Sequence, residues 1–266
     1  MTSGIDPEAN FDTIYRAMYD AQAAGAEMLF TPEMSLLLDR DRKRAFEKIR
    51  QISDRKMSDR FCWAADSEGI WVTVGVPVDL GDGKFANRQW AVDWSNGLYH
   101  YDKTHMFDVE LSTGETWRES NAYKPGEELA VIEDTPVGRL GLTICYDVRF
   151  PALFEQLGRA KCDAITVPAA FTVPTGQAHW HTLLRARAIE ATAFVIAPAQ
   201  VGKHEDGRET YGHSLVVDPW GEVLLDMGGE EPGLAFCDID LERIAEVRSQ
   251  IPSLANKRDI PKYDAQ

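Results

Sequence analysis

Apolar residues recur at helical spacing through Phe11, Ile14, Tyr15, Met18 and Ala21. Asp6-Pro7-Glu8 ahead of them supplies a cap, a first-turn proline and an acid, so a helix is expected from residue 7 toward Gly25. Beyond it, short β-branched runs predict strands at 27–31, 70–76, 85–94, 98–102, 129–132, 137–144, 164–168, 193–200, 213–218, 223–225 and 234–238. Amphipathic spacing predicts one or two surface helices over 39–60, continuing through 61–66, and further helices at 151–158, 177–192 and 240–250. In 177–192 the inward positions are read as Ala178, Leu183 and Ile189. Ser95-Asn96-Gly97 and Glu205-Asp206-Gly207 are hairpin signals, and 104–124 reads as a long loop. Helices and strands alternate early and hairpins come late, which is the pattern of an α/β fold with mixed sheets.

Composition narrows the function classes. The 266 residues show no repeat or linker, so one domain is expected over 1–266. A formal net charge of −15 argues against non-specific binding to nucleic acid or anionic membrane, and an anionic substrate would need a local positive pocket. The basic run Arg40, Arg42, Lys43 and Arg44 is interleaved with acids and reads as a solvated face. Four cysteines, at 62, 145, 162 and 237, form no C-x-x-C pair, which leaves zinc ribbons and dithiol redox unsupported and fits a reducing, cytoplasmic setting. Cys162 and Cys237 read as core. No signal peptide and no apolar span of ~20 residues is present.

The chemistry centres on Cys145. The apolar strand 139–144 stops there, Asp147 and Arg149 follow, and Pro151 opens a helix. A cysteine on a strand-to-helix turn is pushed outward with backbone N–H groups nearby, as a nucleophile requires. Core packing is the commoner fate of a lone cysteine. Glu33 alone would read as a solvated loop acid, and Glu119 as surface. Yet Glu33, in Leu-Phe-Thr-Pro-Glu-Met-Ser, and Lys103, in Tyr-His-Tyr-Asp-Lys-Thr-His-Met-Phe-Asp, also close apolar strands. A carboxylate, an ammonium and a thiol are thereby expected at one sheet edge.

With those motifs in that order, the chain resembles the nitrilase superfamily of carbon–nitrogen hydrolases. Phe-Thr-Val-Pro-Thr-Gly-Gln-Ala-His-Trp, Leu-Arg-Ala-Arg-Ala-Ile-Glu and Tyr-Gly-His-Ser-Leu-Val-Val-Asp-Pro-Trp-Gly are similar to its Nit branch of amidases. The resemblance implies an α-β-β-α sandwich, two mixed sheets face to face with helices outside, paired into homodimers. It implies a catalytic set of Glu33, Lys103, Cys145 and Glu119, a thioester intermediate, an oxyanion held by Lys103 and the Tyr146 N–H, and neither cofactor nor metal. Phe171 and Thr175 would shape the pocket. The family opens with an apolar strand before its first helix, and this chain begins where that strand would already have ended. Restoring upstream residues is therefore expected to raise solubility and melting temperature.

Cys-Tyr-Asp, where nitrile-hydrolysing members commonly have Cys-Trp-Glu, directs the reading to amides. Branch members cut the terminal amides of small 2-oxo acids to acid plus ammonia. The Ala-His-Trp and Tyr-Gly-His segments favour deaminated glutathione over α-ketoglutaramate, the ω-amidase substrate. N-carbamoyl or aliphatic amides, and a non-catalytic binding protein, are the alternatives. Arg149 either clamps a substrate carboxylate or pairs with Asp147. A Cys–His hydrolase using His105, His179 or His213 is a rival. A metal on His179 and His181 is disfavoured, because helix positions two apart do not share a face.

Overall fold

The structure is a computed structural model that describes residues 1–54, 56–95, 97–110, 114 and 116–261. The first helix, α1 (Pro7–Ala23), starts where its cap was read: the Asp6 side chain accepts the Glu8 N–H at 3.0 Å. Strand β1 (Met28–Phe30) follows, then α2 (Arg42–Asp54) and α3 (Met57–Glu68). Next come β2 (Trp71–Asp79), β3 (Phe85–Val92) and β4 (Leu98–Asp102). These strands form one sheet in the order β1-β2-β3-β4, with β1 parallel to β2 and the others antiparallel. Asn96 of the expected turn lies outside the described residues, but the return is present, with Val92 opposite Leu98. Alternation sorts the faces. Val72, Val74, Val76, Trp90 and Val92 bury against Phe11, Ile14, Met18, Ile49 and Phe61 of the three helices. Trp71, Ala91 and Tyr101 point to the other core.

The expected long loop holds structure of its own. A hairpin of β5 (Asp108–Glu110) and β6 (Thr116–Arg118) leads into a 3-10 turn, Glu119–Asn121. The loop's residues 111–113 and 115 lie outside the described set.

The second sheet begins with β7 (Ala130–Thr135) and β8 (Gly138–Leu142), then α4 (Pro151–Arg159), β9 (Ala164–Thr166), α5 (Val173–Ala191) and β10 (Phe194–Ala197). The hairpin of β11 (Val201–Lys203) and β12 (Glu209–Tyr211) stands apart, and β13 (Leu215–Val217) and β14 (Val223–Asp226) complete the sheet. Its order is β14-β13-β10-β9-β8-β7, parallel through β8, β9 and β10 and antiparallel at both ends. Helices α4 and α5 supply the crossovers that parallel strands require. Phe154, Leu157, Trp180, Leu184 and Ala188 cover this sheet from outside. The inner faces meet each other, and Gln89 Nε2 donates across them to Thr166 Oγ1 at 3.2 Å. The result is the four-layer α-β-β-α arrangement.

Two expectations fail. Helix α5 starts earlier than read and buries Trp180, Leu184, Arg187, Ala188 and Ala191, while Ala178 is exposed and Ile189 is 48% exposed. Apolar residues occur all round this helix, so periodicity could not choose a face. Moreover the buried stripe carries Arg187, whose Nε donates to the Val148 carbonyl at 2.7 Å. Segment 234–238 is not a strand; Leu234 and Phe236 stay exposed, while Cys237 leans half-buried on the core. Its alternation is strand-like, but alternation alone supplies no neighbour to pair with. After it come α6 (Glu242–Gln250) and α7 (Ser253–Asn256).

Candidate active site

Two residues beyond β8 the backbone is still extended at Ile144, and Cys145 then takes a positive φ of 49°. That conformation is costly for a residue with a side chain and is held by its surroundings. The Cys145 N–H donates to the Pro168 carbonyl at 2.9 Å. A 3-10 turn, Cys145–Arg149, follows. Its anchor is Asp147, fully buried, whose carboxylate accepts the Ile144 N–H at 2.9 Å and the Tyr101 hydroxyl at 2.8 Å. The same carboxylate takes the His105 N–H at 3.1 Å and the His105 ring Nδ1 at 2.7 Å. The Tyr146 N–H belongs to the first turn of this short helix, where intrahelical partners are lacking.

Glu33 is carried by the loop after β1, which crosses β2 at Gly75. A Cβ there would come within 2.5 Å of Met34 N and Pro32 O, so only glycine permits the crossing. Glu33 is 5% exposed. Its Oε2 accepts the Ala170 N–H at 2.9 Å, and its backbone carbonyl accepts Gln200 Nε2 at 3.0 Å. Cys145 lines the same cavity, near enough that its thiol and the Glu33 carboxylate shift each other's pKa.

Lys103 follows β4 and is 2% exposed. Its Nζ lies 3.0 Å from Glu33 Oε1 and 2.9 Å from Glu119 Oε2. Glu119 Oε2 also accepts the Phe107 N–H, at 2.6 Å. Asn87, on β3, ties the two acids together: Nδ2 donates to Glu33 Oε1 at 2.8 Å and to Glu119 Oε1 at 3.0 Å. Sequence reading passed over Asn87 and Tyr101. The signal for Asn87 was Asn-Arg-Gln inside an apolar strand, since polar residues at inward positions need a reason.

Burial fixes the charge states. Desolvation alone would push the Glu33 carboxyl up, but the Lys103 charge and hydrogen bonds from Cys145, Asn87 and Lys103 outweigh it and hold its pKa below the usual range. Burial would likewise push Lys103 down, yet Glu119 and Glu33 carry it well above its ordinary value. The Cys145 thiol is driven well up, first by burial and then by the Glu33 charge. The resting site is therefore a carboxylate, an ammonium and a protonated thiol. The thiol proton has an acceptor already in place, and charge developing on a bound carbonyl oxygen would meet a fixed cation.

These groups open into a cavity of about 810 Å³, within the range of about 300–1,000 Å³ typical of small-molecule sites. Glu33, Lys103, Glu119, Cys145, Tyr146, Phe171 and Thr175 all line it, although Thr175 sits in the first turn of α5 rather than in a loop. Arg149 does not pair with Asp147, which is held by other donors. Its guanidinium lies over the Tyr146 and Phe171 rings, with Nη1 3.3 Å from His179 Nδ1. Aromatic faces beside the turn hold this cation where a carboxylate partner had been expected.

The histidines are engaged elsewhere: His105 on Asp147, His179 on Arg149, and His213 on Asp226. His181 meets not His179 but His213 and Asp226, whose donor atoms and its own all lie within 4.8 Å of one another. Two imidazoles and a carboxylate could hold a divalent ion. The sequence hid this trio because its members come from α5, the approach to β13, and β14. Among the described residues, no helix is long and apolar enough to cross a membrane.

Comparison with known proteins agrees with this geometry. The carbon–nitrogen hydrolase family profile matches residues 1–249. A deaminated glutathione amidase of Synechocystis sp. is 49% identical over 161 residues, covering 60% of this chain and 59% of the relative's length. That of Bos taurus is 38% identical over 97% of this chain and 80% of its own. Among solved structures, the C. elegans NitFhit protein superposes with a TM-score of 0.89 at 35% identity, over 97% of this chain and 63% of that one.

Proposed function

Because the chain belongs to the carbon–nitrogen hydrolase family, we propose that it is an amidase acting through a thioester on Cys145. The observation that carries this is Cys145 opening into one cavity with the Glu33 carboxylate, from which Lys103 Nζ lies 3.0 Å. Glu33 takes the thiol proton as sulfur attacks the amide carbon. Lys103 and the Tyr146 N–H receive the oxyanion. The protonated Glu33 then gives its proton to the leaving nitrogen. Water, positioned with the help of Glu119, loses a proton to Glu33 and attacks the thioester, which releases the acid and restores the thiol.

Deaminated glutathione is the substrate we favour. The relatives from Synechocystis and Bos taurus carry that name, and the cavity of about 810 Å³ has room beyond a small keto-amide. In that substrate the amide nitrogen is the amine of cysteinylglycine. Ammonia is the product only from a primary amide such as α-ketoglutaramate, so the expectation of ammonia needs this amendment. Two further readings belong here. Half-exposed Ile189 on α5 and Trp220 in the β13–β14 turn support pairing into a homodimer, and four free cysteines support a reducing cytoplasm.

The test compares kcat/KM for deaminated glutathione, followed as 2-oxoglutarate release, with kcat/KM for α-ketoglutaramate, using Cys145→Ala as control. Preference for the former that vanishes in the variant supports the reading. Preference for α-ketoglutaramate makes the protein an ω-amidase, and silence on both from folded protein refutes the 2-oxo acid reading.

A further inference from the structure

We propose that Arg208, backed by Trp117, forms a carboxylate-binding subsite in the catalytic cavity. Both residues line the same cavity as Cys145. Arg208 is fixed from two sides. Its Nε donates to Asp206 Oδ2 at 2.9 Å, and its own N–H donates to Asp206 Oδ1 at 3.0 Å. Asp206 has a fully buried side chain and also accepts the Arg40 N–H at 2.9 Å. On the other side the guanidinium lies 5.3 Å from the centre of the Trp117 ring. A guanidinium has five N–H donors, and the Asp206 pair engages it through Nε.

Trp117 gives the second observation. Its indole Nε1–H is buried with no hydrogen-bond partner among the described residues. A buried donor left unpaired is costly, so an acceptor arriving with the substrate would relieve it. Arg208 shares the cavity with Tyr123, Glu119, Glu33 and Lys103. In a chain of net charge −15, a fixed and only 19% exposed cation at this place is the local positive pocket an anionic substrate needs.

This rests on the amidase reading for the identity of the anion: deaminated glutathione has a carboxylate on each side of the scissile amide. The test is calorimetric titration of the full chain carrying Cys145→Ala, with 2-oxoglutarate and with cysteinylglycine as probes for the two sides. Arg208→Ala should weaken one of them about ten- to a hundredfold. Arg208→Lys should lose less, and Trp117→Phe should lose affinity while the charge stays. The probe affected identifies which carboxylate is held. If the parent binds neither probe, or if Arg208→Lys and Trp117→Phe bind both as the parent does, the subsite is refuted. Turnover is measured separately on the unmodified chain, so failure of the amidase reading would not be mistaken for failure of the subsite.

Discussion

Lys103 Nζ lies 3.0 Å from Glu33 Oε1, and both side chains are nearly shut off from solvent. A buried cation and anion at this distance fix each other's protonation, which sets the pH behaviour of the enzyme. Glu33 has its folded pKa lowered below the ordinary 4.5. Its contribution to stability is therefore present above that value and is lost as pH falls through the folded pKa. Lys103 is raised above 10.5, so its contribution is full below that value and is lost only as pH rises through the higher folded pKa. The kcat/KM profile should have its acid limb below pH 4.5 and stay flat through neutrality. A limb near 6.5, the ordinary histidine pKa of about that value, would revive a Cys–His mechanism.

Removing the cation alone should cost more than the pair contributes. Lys103→Met leaves Glu33 and Glu119 facing each other in a buried site, with a penalty of about 3–5 kcal/mol. Urea unfolding of the variant at pH 7 should show that loss, and part of it should be recovered near pH 5 as the carboxylates protonate. Equal loss at both pH values would contradict the charge assignment.

Asn87 donates to both glutamates, so its role is to hold the base and the lysine's second partner in register. Asn87→Ala should lower kcat/KM about ten- to a hundredfold, the effect of one hydrogen bond to a charged group. Asn87→Asp, which sets a third carboxylate between the two, should be worse. Steady-state kinetics on both variants decide; full activity in Asn87→Asp would remove Asn87 from the account.

Gly75 offers a steric test of the loop that carries Glu33. In Gly75→Ala the new methyl would meet backbone atoms of Pro32 and Met34 at 2.5 Å, and backbone cannot rotate away as a side chain can. A stability loss of about 1–3 kcal/mol is expected, together with a fall in activity larger than unfolding explains. Thermal melts beside kcat at a temperature where the variant is folded would separate the two effects.

Much of this site was legible because each of Glu33, Lys103 and Cys145 closes an apolar run, and strand ends are readable in sequence. The sheets' mixed character followed from alternating helices and late hairpins. What could not be read was anything set by contacts across elements. Asn87 matters because β3 passes between two loops, and the His181, His213 and Asp226 trio exists only once α5 and the strand pair β13–β14 are adjacent. Arg149, four residues from the nucleophile, was read as a possible partner of Asp147, yet the 3-10 turn lays it over Phe171 and Tyr146, which line the cavity. Arg208 sits between the Glu205-Asp206-Gly207 turn and the Tyr-Gly-His segment, where nothing in sequence marks it, and reaches the cavity by way of the β11–β12 hairpin.

The most direct test of the account is the covalent step itself. Protein mixed with deaminated glutathione, quenched in acid within milliseconds and weighed intact, should carry the mass of a 2-oxoglutaryl group. Digestion should place that mass on Cys145, and neutral hydroxylamine should remove it, as thioesters are removed. Glu33→Gln should carry no adduct, having no base for the thiol. An active protein that carries no adduct on Cys145 at any quench time, or that stays active as Cys145→Ala, would contradict the account.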